Sequence, residues 1–348
     1  MPGVSTLKEF KDLVQANFEG NEESLHAFGK TYRTQLKAYL VESTGLESPA
    51  NAPPLTGSAW ASLDAPGWFV ARGGIAPNSL FLDASSGRVW KLYSLLKSPE
   101  SDFVASAWVE NTRGLDWCWL SRTLLLDWET TGSWVRRGVG LRFEDGLSPE
   151  EESSGFSLKA WHGAHDYLEQ LRPILDLAKE KFAVHSVRWQ KRTAGSVNIS
   201  AEWYSDGKVT INRGADVDEV LAHIGRMALR YSDSLAAATQ LRDAKLSAFE
   251  FDFTQKIDLE AFSSVVGSGQ GEMKLWLVEV AVEPGFRRFK GVDLHTWDRI
   301  LLDVAEDHAF LSVPRDGCVN AVPRLAVIQG EDNAGRTEVF YDGARVFA

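Results

Sequence analysis

Residues 195–213 read GSVNISAEWYSDGKVTINR, and this stretch decides the fold class. Four of its apolar residues alternate with polar ones: Val197, Ile199, Ala201 and Trp203. Such alternation is typical of a β-strand with one buried face. The dipeptide Asp206–Gly207 favours the tight turn of a hairpin. The stretch therefore predicts two antiparallel strands joined at residues 206 and 207.

The elements around this hairpin predict a mixed α+β fold. A helix is expected after Asp216, a good N-cap residue, because Glu219 three positions later completes a capping-box pattern. A second hairpin turn is predicted at Asp342–Gly343. Helices are also predicted as a pair within residues 5–43 and as a single element near residues 293–308. Helices mixed with antiparallel hairpins favour the α+β class over a doubly wound parallel sheet.

Four further segments have apolar patterns of their own. KLWLVEVAV (274–282) is almost continuously apolar, which predicts a central strand buried on both faces. SDFVASAWVEN (101–111) predicts a strand. GLDWCWLSRTLLLDW (114–128) fits a buried helix or a strand, of which we favour the helix, and another helix is predicted near residues 164–182.

Changes in composition predict five segments along the chain. Residues 44–57 contain three prolines and two glycines, and residues 144–155 are acidic and rich in Ser and Gly. These two stretches predict a linker and a solvated loop. The predicted segments are a helical extension (1–43), the linker (44–57), a Trp-rich and mostly antiparallel β-containing domain (58–143), the acidic loop (144–155) and a larger α+β domain with hairpins (156–348).

The overall composition excludes several classes of protein. The 348 residues include 37 Lys and Arg against 48 Asp and Glu, a formal net charge of -11, which disfavours broad attraction to nucleic acid or anionic membranes. Cys118 and Cys318 are the two cysteines, and so few predict free buried thiols rather than a disulfide framework. No apolar run resembles a signal peptide or spans a bilayer. We therefore expect a cytoplasmic protein without a membrane partner.

Tryptophan is unevenly distributed along the chain. Eight of the thirteen tryptophans fall between Trp60 and Trp134. Trp117 and Trp119 flank Cys118, and on a helix two residues spaced in this way diverge, so at most one of them faces the core squarely. The other belongs either to a second packed layer or to a protein interface. Because Trp is enriched in binding hot spots, we predict that Trp117 and Trp119 contact a protein partner.

The stretch PGFRRFKG (284–291) interleaves aromatic residues with cations. Its candidate binding residues are Phe286, Arg287, Arg288, Phe289 and Lys290. Aromatic rings with neighbouring cations bind single-stranded nucleic acid, and they also anchor acidic segments of protein partners. The alternative is a solvated turn with both phenylalanines directed inward. We predict a secondary protein contact here, and any contact with nucleic acid would be local to residues 286–290.

His162 and His165 are the candidate metal ligands in LKAWHGAHDYLEQLR (158–172). The zinc-protease motif places two histidines four residues apart with an intervening glutamate, so that both rings share one helical face. Here the spacing is three and no glutamate intervenes. We therefore favour a role at the start of a helix over metal binding.

Residues 251–280 contain the second candidate site. Metal-dependent nucleases combine acidic residues with an acid–x–Lys pattern on a neighbouring strand, where carboxylates hold Mg²⁺. Asp252 or Asp258, together with Glu272 and Lys274, matches this permissive pattern. The alternative is that Glu272 and Lys274 only lead into the following strand.

We conclude from the sequence that the chain is a binding or adaptor protein and an accessory component of a larger assembly. The competing hypothesis is a metal-dependent nuclease or hydrolase built on Asp258, Glu272 and Lys274, or on His162 and His165. No cofactor is predicted, because GSGQG (267–271) leads into a strand, whereas a phosphate-binding loop leads into a helix.

Overall fold

A computed structural model describes residues 4–28, 33–52, 58–73, 79–127, 134–143, 156–161, 183–193, 196–245, 247–332 and 336–347. This part of the chain has a mixed α+β fold with more strand than helix, which confirms the predicted class. Its helices are α1 (Leu7–Glu19), α2 (Glu22–Ala27), α3 (Ser98–Asn111), α4 (Arg122–Asp127), α5 (Val217–Lys245), α6 (Leu259–Ser268) and α7 (Ala321–Asp332), with a short 3₁₀ helix at Pro49–Asn51.

The strands fall into two sets along the chain. The first set is β1 (Leu36–Ser43), β2 (Ser58–Ser62), β3 (Trp68–Gly73), β4 (Leu80–Asp83), β5 (Val89–Ser94), β6 (Leu115–Trp117), β7 (Trp134–Phe143), β8 (Phe156–Trp161), β9 (Ala183–Thr193), β10 (Ser196–Tyr204) and β11 (Lys208–Gly214). The second set is β12 (Phe249–Phe253), β13 (Leu275–Glu283), β14 (Phe286–Asp293), β15 (Asp298–Ala305), β16 (His308–Ser312), β17 (Thr337–Tyr341) and β18 (Ala344–Arg345).

The chain divides into two compact units, and each is built from separate stretches of sequence. The first unit comprises Met1–Cys118, Glu129–Arg136 and Arg188–Ser232. The second comprises Trp119–Trp128, Arg137–Val187 and Asp233–Ala348. Among the residues described above, no helix is both long enough and apolar enough to cross a bilayer. The two thiols, one in each unit, are free and buried as predicted.

The first unit is organised around strand β1. Its strand order is β2-β3-β4-β5-β1-β11-β10-β9, and β6 also pairs with β1. The hairpin predicted from residues 195–213 is confirmed, because β10 and β11 pair antiparallel and Asp206 Oδ1 accepts the Lys208 N–H at 3.0 Å in the turn. Gly207 has a φ of 80°, and a Cβ at this position would lie 2.6 Å from the Cys118 carbonyl oxygen. Glycine is therefore needed both for the turn and for this close approach.

Aromatic side chains pack on both faces of the sheet in the first unit. On one face, the Phe10 ring of α1 lies 4.6 Å from the Phe81 ring and 5.6 Å from the Tyr93 ring. On the other face, Trp108 of α3 lies 6.3 Å from Trp90. Trp90 and Tyr93 are three residues apart on β5, so they point to opposite faces. The tryptophan-rich segment thus supplies the core of this unit.

The second unit contains a seven-stranded sheet with the order β13-β14-β15-β16-β12-β17-β18. Every pair of neighbouring strands in this order is antiparallel. Phe262 of α6 packs edge-on against Phe289, with ring centroids 5.9 Å apart. Arg324 of α7 donates to Asp293 Oδ1 at 2.6 Å, and both side chains are buried. These contacts attach two helices to one face of the sheet. Elsewhere in this unit, β7 pairs antiparallel with β8.

Several predicted elements differ from the structure. The second helix predicted within residues 5–43 is confirmed only at its start, as α2 (Glu22–Ala27), whereas Leu36–Ser43 at its expected end is strand β1. All eight residues of β1 are buried. Apolar residues therefore follow one another without alternation, and their spacing matched a helix by coincidence. The segment 114–128 combines both alternatives, because it contains strand β6 and helix α4.

In two further segments a strand was predicted where the structure has a helix, or a helix where it has a strand. Residues 101–111 belong to helix α3, in which Val104 and Trp108 are buried four residues apart. The helix expected near residues 293–308 is wrong. That segment contains β15, on which the buried residues Ile300 and Leu302 alternate with exposed ones. By contrast, the helix expected after Asp216 is confirmed as α5, and Asp216 Oδ1 accepts the N–H groups of residues 218 and 219 at 2.8 and 3.1 Å.

His223 on α5 is buried in an aromatic environment in the first unit. The Trp203 indole N–H donates to His223 Nε2 at 3.0 Å, and the Trp134 ring stacks on the imidazole with centroids 4.0 Å apart. Burial, followed by the charges of Arg226 and Lys191, lowers the pKa of His223 well below its usual 6.5. Because Nε2 accepts a hydrogen bond, the neutral imidazole carries its proton on Nδ1.

We expect acidification below pH 6.5 to destabilise the first unit through His223. Below pH 6.5 the imidazole of the unfolded state takes up a proton, whereas the buried imidazole of the folded state does not. The contribution of neutral His223 to the free energy of unfolding is therefore complete above pH 6.5 and is lost as the pH falls. The free energy of unfolding then decreases by up to about 1.4 kcal/mol per pH unit. Urea unfolding followed by tryptophan fluorescence between about pH 7 and 5.5 measures this slope.

The variant His223→Gln removes the titrating group, and we expect it to flatten the slope. His26→Gln is the matched control, because His26 is exposed on α2. An equally steep slope in His223→Gln and the wild type would show that other groups cause the pH dependence.

Candidate functional site

Trp117 and Trp119 do not form a docking surface. Only 8% of Trp117 and 2% of Trp119 is exposed to solvent. Trp117 belongs to strand β6, where it pairs with Val41 of β1, and its ring lies 6.0 Å from that of Tyr39. The expectation of a helix with one outward indole is therefore wrong, and the packed-layer alternative accounts for Trp117.

Residues 286–290 form the first part of strand β14 and not a turn. The turn precedes them at Gly285, which has a φ of 72°. Strand alternation directs the side chains to opposite faces of the sheet. Arg287 and Phe289 point to the helix-covered face, where 1% of Phe289 is exposed and Arg287 forms an ion pair with Glu260. Phe286, Arg288 and Lys290 point to the opposite face.

This opposite face of the second sheet spans four adjacent strands, and three of them, β13, β15 and β16, expose large apolar side chains. We call it the outer face and define it by Trp276 and Val278 of β13, Lys290 of β14, Leu301 of β15 and Phe310 of β16. The exposed fractions are 51% for Trp276, 63% for Val278, and 37% for both Leu301 and Phe310. Paired residues in an antiparallel sheet point to the same side, and Val278, Lys290 and Leu301 form one continuous row.

Strand β13 forms one edge of this sheet. Its side chains alternate, with Leu275 and Leu277 buried and Trp276 and Val278 exposed. The prediction of a strand at 274–282 is confirmed, but its placement at the centre of a sheet is wrong. Gly291 of β14 permits the close approach of β13, because a Cβ at this position would lie 2.0 Å from the Trp276 carbonyl oxygen. Natural proteins usually protect an edge strand of this length with charged side chains, whereas β13 exposes apolar ones.

The cations of the outer face are of two kinds. Arg288 binds Asp303 through two hydrogen bonds of 2.7 and 2.6 Å, and this contact raises the pKa of the guanidinium. Lys290 and Arg299 are exposed and form no ion pair with any other residue in the described ranges. The acidic side chain of Glu250 lies on β12, beyond Phe310. Positive charge is therefore concentrated beside Trp276 and Val278.

The residues of the predicted nuclease site lie at the two ends of helix α6 and on strand β12. Asp258 is the N-cap of α6, and its Oδ1 accepts the N–H groups of residues 260 and 261 at 2.8 and 3.1 Å. Glu272 and Lys274 follow the C-terminal end of the same helix. The helix of 10 residues that lies between them along the chain is about 15 Å long. The N-cap role of Asp258 accounts for its carboxylate, and its grouping with Glu272 and Lys274 around an ion stays a prediction.

The other candidate ligands lie elsewhere. Asp252 is exposed on β12 and pairs in register with His308. His162 and His165 lie outside the described residues, as do the helix predicted near 164–182 and the acidic loop 144–155.

A polar network in the first unit is structural. The Tyr39 hydroxyl donates to Asp102 at 2.6 Å, and the Lys208 ammonium lies 2.6 Å from the same carboxylate oxygen. Lys37 is buried nearby and donates to the carbonyl oxygen of Leu96 at 2.6 Å. Burial lowers the pKa of Lys37 to about 8. This shift accompanies a side chain that is 1% exposed, and its position closes it off from a substrate in solution.

Comparison with known proteins places the chain in a family. A family model described as MJECL33-like protein matches residues 3–329. The chain belongs to this family. One relative, the uncharacterized protein MJECL33 of Methanocaldococcus jannaschii, is 23% identical over 316 residues, which cover 76% of this chain and 77% of the relative. No solved structure matches the chain.

Sequence reasoning missed Trp276 and Val278 as surface residues. The run 274–282 contains Glu279 among its apolar residues. A charged residue inside an apolar strand is a signal for an edge position, because edge strands commonly carry charges. The same signal does not distinguish this strand from β1, in which Lys37 and Glu42 are buried, so the edge position follows from the structure alone.

Two neighbouring residues of β13 provide a test of the outer face. We expect Leu277→Ala to lower the free energy of unfolding by about 2–5 kcal/mol, because it removes buried methyl groups. We expect Val278→Thr to change it by less than about 0.5 kcal/mol, since the side chain keeps its shape and is 63% exposed. Urea unfolding measures both values, and a large loss in Val278→Thr would show that this face is buried.

Proposed function

We propose that the protein is an intracellular binding or adaptor protein that docks a protein partner through the outer face and acts within a larger assembly. One observation carries this proposal: Trp276 and Val278 are 51% and 63% exposed on a strand at the edge of the second sheet. Contiguous exposed apolar surface with polar neighbours marks interaction sites in proteins. The proposed docking surface includes residues 288 and 290 of the predicted contact, but its main apolar residues lie on β13.

The composition of the outer face resembles that of an interface core. Tryptophan and arginine are the residues most enriched in binding hot spots, and Trp276 lies in one row with Val292 and Arg299. Leu301 and Phe310 extend the apolar area across two more strands. Fully burying a side chain such as Val or Leu stabilises by about 1.5–3 kcal/mol, and the unrealised share is largest at Val278, which is 63% exposed. A partner that covers them recovers this free energy.

Charge favours a partner segment with acidic residues beside apolar ones. Lys290 lies in register between Val278 and Leu301, so a docked chain places its carboxylates next to its apolar side chains. The net charge of -11 and the small number of free cations favour such a segment over a nucleic acid backbone. The role of Asp258 as the N-cap of α6 favours docking at the outer face over the competing nuclease hypothesis.

Loss of the apolar side chains is the direct test. We expect Trp276→Ser combined with Val278→Thr to weaken partner capture at least tenfold, because the central anchor of the interface is removed. Affinity capture from cells of the source organism, with each bound protein quantified by mass spectrometry, measures this loss. Phe103→Ser is the matched control, since Phe103 is 68% exposed but lies on α3 in the first unit. Partners that remain bound to the double variant would contradict docking at the outer face.

Charge reversal tests the chemistry of the partner. We expect Lys290→Glu with Arg299→Glu to slow association with the captured partner at least tenfold at low salt, and to remove its salt dependence. Biolayer interferometry with the purified pair measures both effects. Lys256→Glu with Arg315→Glu changes the net charge equally at exposed positions outside the outer face. An equal effect of the two double variants would show that overall charge, and not the outer face, controls binding.

A further inference from the structure

Trp297 is exposed to solvent to the same extent as Trp276, with 51% of each residue accessible. It is the last residue of the connection 294–297 between β14 and β15. Its φ of 67° lies in the left-handed region, which bulky residues rarely adopt and which glycine and asparagine tolerate. The fold thus presents an exposed indole in a backbone conformation that its residue type disfavours, and such outliers cluster at functional sites.

Polar contacts hold this connection in place at both ends. The Trp297 N–H donates to the Asp293 carbonyl oxygen at 2.6 Å, and the buried Asp293 carboxylate accepts from the Arg324 guanidinium at 2.6 Å. At the start of β15, Asp298 Oδ2 accepts the Cys318 N–H at 3.0 Å. Because the backbone around Trp297 is already fixed, ordering it in a complex costs little conformational entropy.

Trp297 and Trp276 lie close enough to contact one partner. Trp276 shares a row with Val292 and Arg299, and this row spans two strand steps, or about 10 Å. Arg299 follows Trp297 by two residues, which the chain can span over at most about 7 Å. The Cα atoms of the two tryptophans are therefore at most about 17 Å apart. A standard interface covers about 800 Å² on each partner, a patch roughly 30 Å across, so both indoles fit within one interface.

Arg299 supplies positive charge beside both tryptophans. Its side chain is exposed and forms no ion pair with another residue in the described ranges. The indoles favour apolar surface around them, and the guanidinium favours a carboxylate. A nucleic acid backbone supplies charge without apolar pockets, and the chain has a net charge of -11, so a protein surface fits these three side chains better.

We propose that Trp297 is a second anchor of the docking surface, and that one protein partner covers Trp297 and Trp276 together. The partner presents two apolar pockets for the indoles and a carboxylate that pairs with Arg299. This inference rests on the proposed function, because it assigns a further residue to the same complex. It extends the contact beyond the outer face, since Trp297 belongs to the connection at the end of β14 and β15.

Biolayer interferometry tests the anchor with full-length protein and the purified partner whose capture depends on Trp276 and Val278. We expect Trp297→Asn to raise the dissociation constant at least tenfold, because the indole is lost. Trp297→Phe keeps an aromatic ring and is expected to stay within about fivefold of the wild type. Phe103→Ser is the matched control and is expected to bind like the wild type, since Phe103 is exposed in the first unit. Unchanged binding of Trp297→Asn would overturn the inference.

Hydroxyl-radical footprinting shows whether the partner covers Trp297 directly. In the complex, we expect oxidation of Trp297 and of Trp276 to fall by about threefold or more, because the centre of an interface excludes water. Oxidation of Phe103 is expected to stay the same. Undiminished oxidation of Trp297 in a complex that protects Trp276 would overturn the inference and leave the proposed function standing. The absence of any partner that depends on Trp276 and Val278 would contradict the proposed function, and this inference with it.

The left-handed backbone of Trp297 allows a test of folding that needs no partner. Asparagine tolerates this conformation better than tryptophan does, so we expect the thermal midpoint of Trp297→Asn to equal or exceed that of the wild type. A midpoint lower by more than about 4 °C would show that Trp297 supports the fold, and would overturn its assignment as an anchor.

Discussion

Alternation of side chains along strand β13 is the constraint on which the proposed binding surface depends. A strand directs successive residues to opposite faces, so the burial of Leu275 and Leu277 against helix α6 forces Trp276 and Val278 into solvent. A slip of one residue in the pairing with β14 would exchange these two sets. The Val278–Lys290–Leu301 row is fixed by the same register, which Gly291 permits by allowing the two strands to approach.

Secondary structure was predicted correctly where the apolar pattern fitted either a helix or a strand but not both. The β10–β11 hairpin has strict alternation and an Asp–Gly turn, and α5 has a capping aspartate followed by helical spacing. Strand β1 gave no such signal because it is buried on both faces, and its residues satisfy a helical spacing equally well. Helix α3 was missed because its short, punctuated apolar run resembled a strand. The early proline of this helix was the signal that could have identified it.

The residue types of the candidate site could be predicted from the sequence, but which of these residues face solvent could not. Aromatic residues and cations in 286–290 do reach the surface, but alternation along β14 sends Phe289 inward and leaves Lys290 outside. Trp117 and Trp119 illustrate the opposite error. Their residue type fits an interface, yet tryptophan suits a core equally well, and composition alone does not distinguish these two environments. The pairing of β6 with β1 and an exposed fraction of 8% show that Trp117 is interior.

An exposed apolar edge strand carries a risk of self-association, since two copies can pair their unprotected edges. The exposed apolar face allows a second mode of self-association, in which two outer faces stack, and Lys290 and Arg299 oppose this mode. Two outer faces that approach one another bring like charges together beside Val278, and like charges at a contact cost free energy. The carboxylates of the acidic partner that we propose would attract the same two cations. Lys290 and Arg299 would therefore oppose self-association and favour the partner complex. In the complex that we propose, the apolar side chains supply affinity and the cations select an acidic partner over a second copy of the chain.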